Sequence, residues 1–111
     1  MTEGLNPTMK QPSPWHPCLD PVELAVLGKL AEESGELTSA ATRCIIQGWD
    51  ESHPSTGKAN SDWLLEEMAD VLAGIAVTLD HFGISREELN ARVEIKIEHL
   101  KGWHKLIEAQ P

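Results

Sequence analysis

The 111-residue sequence has no tyrosine, one phenylalanine and two cysteines. So few thiols exclude a small scaffold built on several disulfides. Cys18 and Cys44 instead read as buried or incidental free thiols. A run of about 20 apolar residues, the length of a membrane span, is missing throughout. The first twenty residues, MTEGLNPTMKQPSPWHPCLD, also lack the apolar core of a secretory signal. The expected place is the cytoplasm, with no membrane partner.

Positive charge is scarce as well. Nine Lys and Arg stand against 18 Asp and Glu, giving a formal charge of -9. That argues against a protein held on nucleic acid or anionic lipid by a general positive field. It leaves nucleotides open, because divalent cations between two sets of negative groups let a triphosphate bind an acidic protein. There is no G-x-x-x-x-G-K-[ST] phosphate loop and no Rossmann glycine fingerprint. Ser34 and Ser39 have no Ser, His and acid arrangement around them, which sets covalent hydrolysis aside.

What is present is core material for one domain, with 41% apolar residues and four tryptophans. Residues 1–19 read as an irregular arm, since Pro7, Pro12, Pro14 and Pro17 restrict the chain repeatedly. Residues 20–108 read as an all-α domain. Asp20 before Pro21 signals a helix start, and Val26, Leu30, Leu37, Ala41, Cys44 and Ile45 recur at helical spacing to about Ile46. Gly28 and Gly35 within it read equally as close-approach points or as tolerated defects. Gly48, Pro54 and Gly57 break the pattern in a connection over 47–61.

Ser61 is a candidate cap for a second helix, whose apolar side would be Leu64, Leu65, Met68, Leu72, Ile75, Ala76 and Leu79. Gly83 suits its end, and Ser85 with Glu88 has the spacing of a capping box. A third helix over Arg86–Glu108 would pack through Leu89, Val93, Ile97, Leu100 and Trp103, with Gly102 a possible bend. The fold expected is all-α, a bundle of three long helices per chain. Completing its buried faces calls for a further copy, hence a homodimer or homotetramer.

The chemistry lies in two acidic segments, KLAEESGEL and LLEEMADVL. Glu33 and Glu36 are i,i+3 neighbours on the first helix, and Glu67 and Asp70 repeat that relation on the second. Core-like residues flank both pairs, so helix packing would bring four carboxylates together against repulsion and lost hydration. A hard divalent cation reverses that repulsion, and oxygen-only donors favour Mg²⁺ or Mn²⁺ over zinc. On periodicity alone a solvated acidic face accounts for the pairs equally well.

In their order and context these motifs resemble the MazG-like all-α nucleotide pyrophosphohydrolases, a family related in fold to dimeric dUTPases, dCTP pyrophosphatases and phosphoribosyl-ATP pyrophosphatases. The E-E-x-x-E element corresponds to Glu32, Glu33 and Glu36, and the E-x-x-D element to Glu67 and Asp70, over most of residues 21–105. The resemblance implies that Glu33, Glu36, Glu67 and Asp70 bind metal and that Glu32 orients or deprotonates the attacking water. It implies that Lys29 and Lys96 face phosphates, and that a nucleoside triphosphate is cleaved at the α phosphorus to a monophosphate and pyrophosphate.

Two departures stand out. The segment between Glu36 and Glu67 is longer than in compact members, and Leu100 stands where some relatives carry arginine. Lys101, Lys58 or Arg43 are substitutes for that missing contact. For the base, Trp49 is a stacking candidate and Asn60 a hydrogen-bonding one, with His53, Trp15 and Trp63 as further lining. The resemblance to phage and bacterial members favours purine deoxynucleotides, dATP or dGTP. Rival readings are a dUTP or dCTP hydrolase and a noncatalytic acidic helical interaction protein. A di-iron bundle is disfavoured because Glu and His ligand pairs at i,i+3 are missing.

Overall fold

A computed structural model describes residues 13–111 as three helices: α1 (Pro21–Gln47), α2 (Asn60–Phe82) and α3 (Arg86–Glu108). The remaining expected arm, residues 1–12, lies outside the described residues, and 13–19 have no regular structure. No strand forms among the described residues; Ser52 and Ala59 make one isolated bridge. No helix is long and apolar enough to cross a membrane.

Local chemistry accounts for the helix ends. Asp20 Oδ1 accepts from the Val22 and Glu23 amides, both at 2.9 Å, and Pro21 occupies the first helical position. Gly48, at φ +114°, ends α1 in a conformation that L side chains rarely adopt. Gly83 ends α2 in the left-handed region, and the next amide, Ile84 N–H, reaches back to Leu79 O at 3.0 Å. Ser85 Oγ accepts from Glu88 N–H at 3.2 Å, so it caps α3 without the reciprocal bond of a full capping box. Gly102 lies inside α3 without interrupting it.

The start of α2 differs from the sequence expectation. Its cap is Ala59, which has no side-chain bond to offer, and the helix begins at Asn60 rather than after Ser61. The connection supplies the reason. His53 N–H donates to Lys58 O at 2.9 Å and Asn60 N–H to Glu51 O at 2.8 Å, forming a closed loop that delivers the chain directly into the helix. Asn60 Nδ2 then donates to Gly48 O at 3.0 Å and Gln47 Oε1 at 3.3 Å, tying the start of α2 to the end of α1.

α1 and α2 run antiparallel and pack along their length. Cys44 Sγ meets Asn60 O at 3.6 Å near the loop. Farther along, a Cβ built on Gly74 would stand 3.5 Å from Leu30 Cδ1. Ala40 and Leu79 are the buried apolar residues, with Leu30, Leu37, Ala41, Leu64, Val71 and Ile75 half-buried between the helices. Ile45, expected on the packed side, is 83% exposed, and Ala40 takes the buried role. Gly28 and Gly35 have open space where a Cβ would stand, so neither is a close-approach point within the chain.

Leu65, Met68 and Leu72 form a second apolar side of α2 that faces away from α1 and is exposed. α3 has no buried residue; of its expected packed side, Leu89 is half-buried and Val93, Ile97, Leu100 and Trp103 are exposed. The radius of gyration is 19.8 Å, against about 13 Å for a compact domain of this length. The single chain is thus a packed helix pair with a third helix standing off it.

Replacing Asp20 with Ala should leave the Val22 and Glu23 amides without their shared acceptor and lower stability by about 1 kcal/mol. Thermal melting should fall by about 4 °C, while Asp20→Asn should retain most of the cap. An unchanged midpoint in the Ala variant would show that α1 does not depend on this cap.

Candidate metal centre

The antiparallel register sets the acidic pairs opposite one another. Glu33 and Asp70 line one cavity in the α1–α2 groove, and Glu36 and Glu67 line the next one toward the loop. One carboxylate oxygen from each of Glu33, Glu67 and Asp70 lies within 4.8 Å of the others. The i,i+3 spacing on each helix produces this, because residues one turn apart project from the same side.

Burial grades across the group. Glu33 is 8% exposed, Glu67 is half-buried and Asp70 opens to solvent. Glu33 Oε1 meets Lys29 Nζ at 3.2 Å, while Glu33 Oε2 and Glu67 Oε2 are buried with no hydrogen-bond partner. A buried carboxylate oxygen without a donor is costly and calls for a compensating group. Since the group's donors are all carboxylate oxygens, a hard divalent cation is the group that fits. Oxygens around Mg²⁺ at about 2.1 Å stand no more than about 4.2 Å apart, so small side-chain rotations would close the cluster on an ion.

Glu36 stands at the edge of the cluster and is exposed. The negative charge of Glu33 raises its pKa above the ordinary glutamate value, with partial loss of hydration, Glu67 and Glu32 adding to the effect. Lys29 is shifted upward by its hydrogen bonds to Glu33 and then Glu32, so its ammonium is secured. Glu32 points outward, with its side chain 57% exposed and 3.4 Å from Lys29. The structure therefore gathers Glu33, Glu67 and Asp70, sets Glu36 and Lys29 beside them, and leaves Glu32 on the outer side.

Lys96 lies on the unpacked α3 and forms no ion pair among the described residues. Trp49 is 56% exposed in the loop. Asn60 is 1% exposed and its amide is spent on closing the loop, with Oδ1 buried and unpartnered. Trp63 is the tryptophan drawn toward the acids. Arg43 lies over its ring at 4.6 Å from the centroid, Lys58 at 5.5 Å, and the His53 ring at 5.6 Å. Sequence periodicity gave no sign of Gly74 or Ala73 beside Glu33 and Asp70, because small residues carry little amphipathic signal.

Compared with family models, with curated proteins and with solved structures, the chain gives no match.

The raised pKa of Glu36 sets a pH dependence. Its protonated form is favoured by folding; that contribution is full below the ordinary glutamate pKa and is lost as pH rises through the higher folded-state value. Without added cation, Glu36→Gln should therefore melt higher than the parent at pH 7, with the difference vanishing near pH 4. Mg²⁺ should raise the parent's midpoint more than the variant's. A variant that melts lower at pH 7 without cation would mean that Glu36 is held by a positive partner instead of being repelled.

Proposed function

We propose that this chain is a divalent-cation-dependent nucleoside triphosphate pyrophosphohydrolase of the MazG-like kind that its acidic motifs resemble. The observation that carries this reading is the pair of buried, unpartnered oxygens on Glu33 and Glu67 beside Asp70. A solvated acidic face would leave its carboxylates hydrated, whereas these are turned into a helix groove.

In this reading Glu33, Glu36, Glu67 and Asp70 hold Mg²⁺, or Mn²⁺ in its place. The cation supplies neutralisation of phosphate charge and acidification of water. The oxygen of a water molecule forms a bond to the α phosphorus, and the bond from that phosphorus to the bridging oxygen breaks. Pyrophosphate leaves with the electron pair, and the proton released by the water goes to Glu32 once its side chain swings in from the outer side of α1 and leaves Lys29. Lys29, one turn before Glu33, balances negative charge at one end of the group. A purine deoxynucleoside triphosphate, dATP or dGTP, is the preferred substrate; a base panel separates it from dUTP and dCTP.

The exposed apolar faces of α2 and α3 favour a homo-oligomer, dimer or tetramer. Leu65 and Leu72 on α2 and Leu100 and Trp103 on α3 are each between 48% and 66% exposed. Covering such contiguous apolar surface with a second copy recovers burial that the single chain forgoes. Lys96, carried on α3, would join the phosphates within that assembly.

With Mg²⁺ and a deoxynucleoside triphosphate, the protein should release pyrophosphate and a monophosphate in equal amounts, and a chelator should abolish the reaction. Glu33→Gln should lower turnover by about 10²-fold or more, the scale of losing one electrostatic stabiliser, while leaving helical content intact. Release of inorganic phosphate instead, or parental turnover in the variant, would overturn the assignment. Light scattering should give a particle mass of at least two 12.2 kDa chains, and Leu72→Glu combined with Leu100→Glu should dissociate it. A monomeric parent at micromolar concentration would refute the assembly.

A further inference from the structure

The groove between α1 and α2 is not symmetric about the acidic group. Two cavities, each of about 310 Å³, flank it and share no lining residue. One runs toward the start of α1, where Lys29 is its cation and the rest of the wall beyond Glu33 and Asp70 is aliphatic or glycine. The other runs toward the loop and is lined by Glu36, Ser39, Ala40, Arg43, Trp63 and Glu67. Both are of a size to enclose part of a small ligand.

The chemistry of the two ends differs. Only the loop-side cavity has an aromatic wall, and Trp63 lies one helical turn from Glu67, about 6 Å along the axis. Arg43 lies two turns from Glu36, about 10.5 Å along α1. The Arg43 guanidinium lies over the indole at 4.6 Å, a contact that uses its charge and flat face and none of its N–H donors. Arg43 makes no ion pair among the described residues, whereas Lys58, over the same ring, is paired with Glu66. The cavity thus offers a planar guanidinium backed by the indole, its N–H donors uncommitted, on a wall shared with Glu36 and Glu67.

Resting on the hydrolase reading above, we propose that the nucleoside half of the substrate occupies this loop-side cavity, with Arg43 selecting a guanine base and Trp63 supporting it. The polyphosphate then extends the other way, toward Lys29. Guanine presents O6 and N7 as adjacent acceptors that a guanidinium engages in a bidentate manner, whereas adenine sets an amino donor beside N7. Arg43 therefore discriminates between the two purines by the groups on their edges. Trp49 and Asn60 have no part in this wall: one stands out in the loop and the other is buried in its closure.

The test uses the full chain with Mg²⁺ and measures equilibrium binding of dGMP and dAMP, which needs no turnover. The parent should bind dGMP more tightly by about 5- to 150-fold, the span of one bidentate base contact. Arg43→Ala should bring the ratio of the two affinities close to one, and Trp63→Ala, which removes the ring that backs the guanidinium, should weaken dGMP more than dAMP. Arg43→Lys keeps the charge but not the planar fork. It should therefore narrow the dGMP preference without abolishing it, since an ammonium still donates to O6 and N7, whereas a simple phosphate contact would leave the ratio unchanged in every Arg43 variant. Circular dichroism of each variant establishes that it is folded. Equal binding of the two nucleotides by the parent, or a ratio unaltered by folded Arg43→Ala, would overturn the proposal even if triphosphates are hydrolysed. A dGMP preference lost in that variant, with no pyrophosphate released from any triphosphate, would instead sustain the guanine pocket and remove the hydrolase reading.

Discussion

Repulsion among carboxylates confined between two helices is the constraint on which the rest of this molecule turns. Two unit charges about 5 Å apart repel by about 3 kcal/mol at an effective dielectric of 20, a sizeable share of the 5–15 kcal/mol that holds a typical domain together. Glu33, Glu67 and Asp70 are packed within that distance. Lys29 relieves one side of Glu33, but its other oxygen and that of Glu67 face inward unpaired. Apolar packing along α1 and α2 holds them there, so the helix pair works against its own electrostatics. A cation fits this arrangement because it removes the repulsion and supplies the missing partner in a single step.

That constraint explains why the helix pair is tied so firmly at the loop. Apolar burial between α1 and α2 is thin, with Ala40 and Leu79 the buried apolar residues. The Asn60 amide bonds to Gly48 and Gln47, together with the His53 and Lys58 backbone pair, fix the register where the acids begin to oppose each other. A slip by one residue would rotate an acidic side chain by about 100° around its helix and separate the pairs. The loop is therefore part of the centre's construction although it supplies no carboxylate to it.

The three helices were legible because periodicity over more than twenty residues, a strong cap at Asp20 and glycine stops at Gly48 and Gly83 all agree. The approach of Glu33 to Glu67 and Asp70 was legible in part: core residues flank the i,i+3 acids, but periodicity alone left a solvated acidic face open, and Glu36, expected as a fourth member, stays exposed at the edge. The start of α2 was not legible. Asn60 looks like a base-binding residue in sequence, but long-range bonds to the end of α1 claim its amide, and local propensity has no access to them. Apolar spacing also overstated the single chain's core. Periodicity identifies a side that wants burial; it does not identify whether the cover comes from the same chain. Ile45, Leu65, Leu72 and the seam of α3 from Val93 to Trp103 are periodic and exposed.

The same distinction separates what the two ends of the groove can do. Lys29 is already satisfied by Glu32 and Glu33, so another anion arriving there must share a committed charge. Arg43 rests on an aromatic face and holds its donors in reserve. A ligand gains most where a polar group is present but not yet partnered, because no existing bond has to be broken to make the new one. Within this groove those groups are the inward oxygens of Glu33 and Glu67 and the guanidinium of Arg43. A cation answers the first and a neutral, acceptor-rich ring the second, which gives the groove a direction that neither acidic motif carries alone.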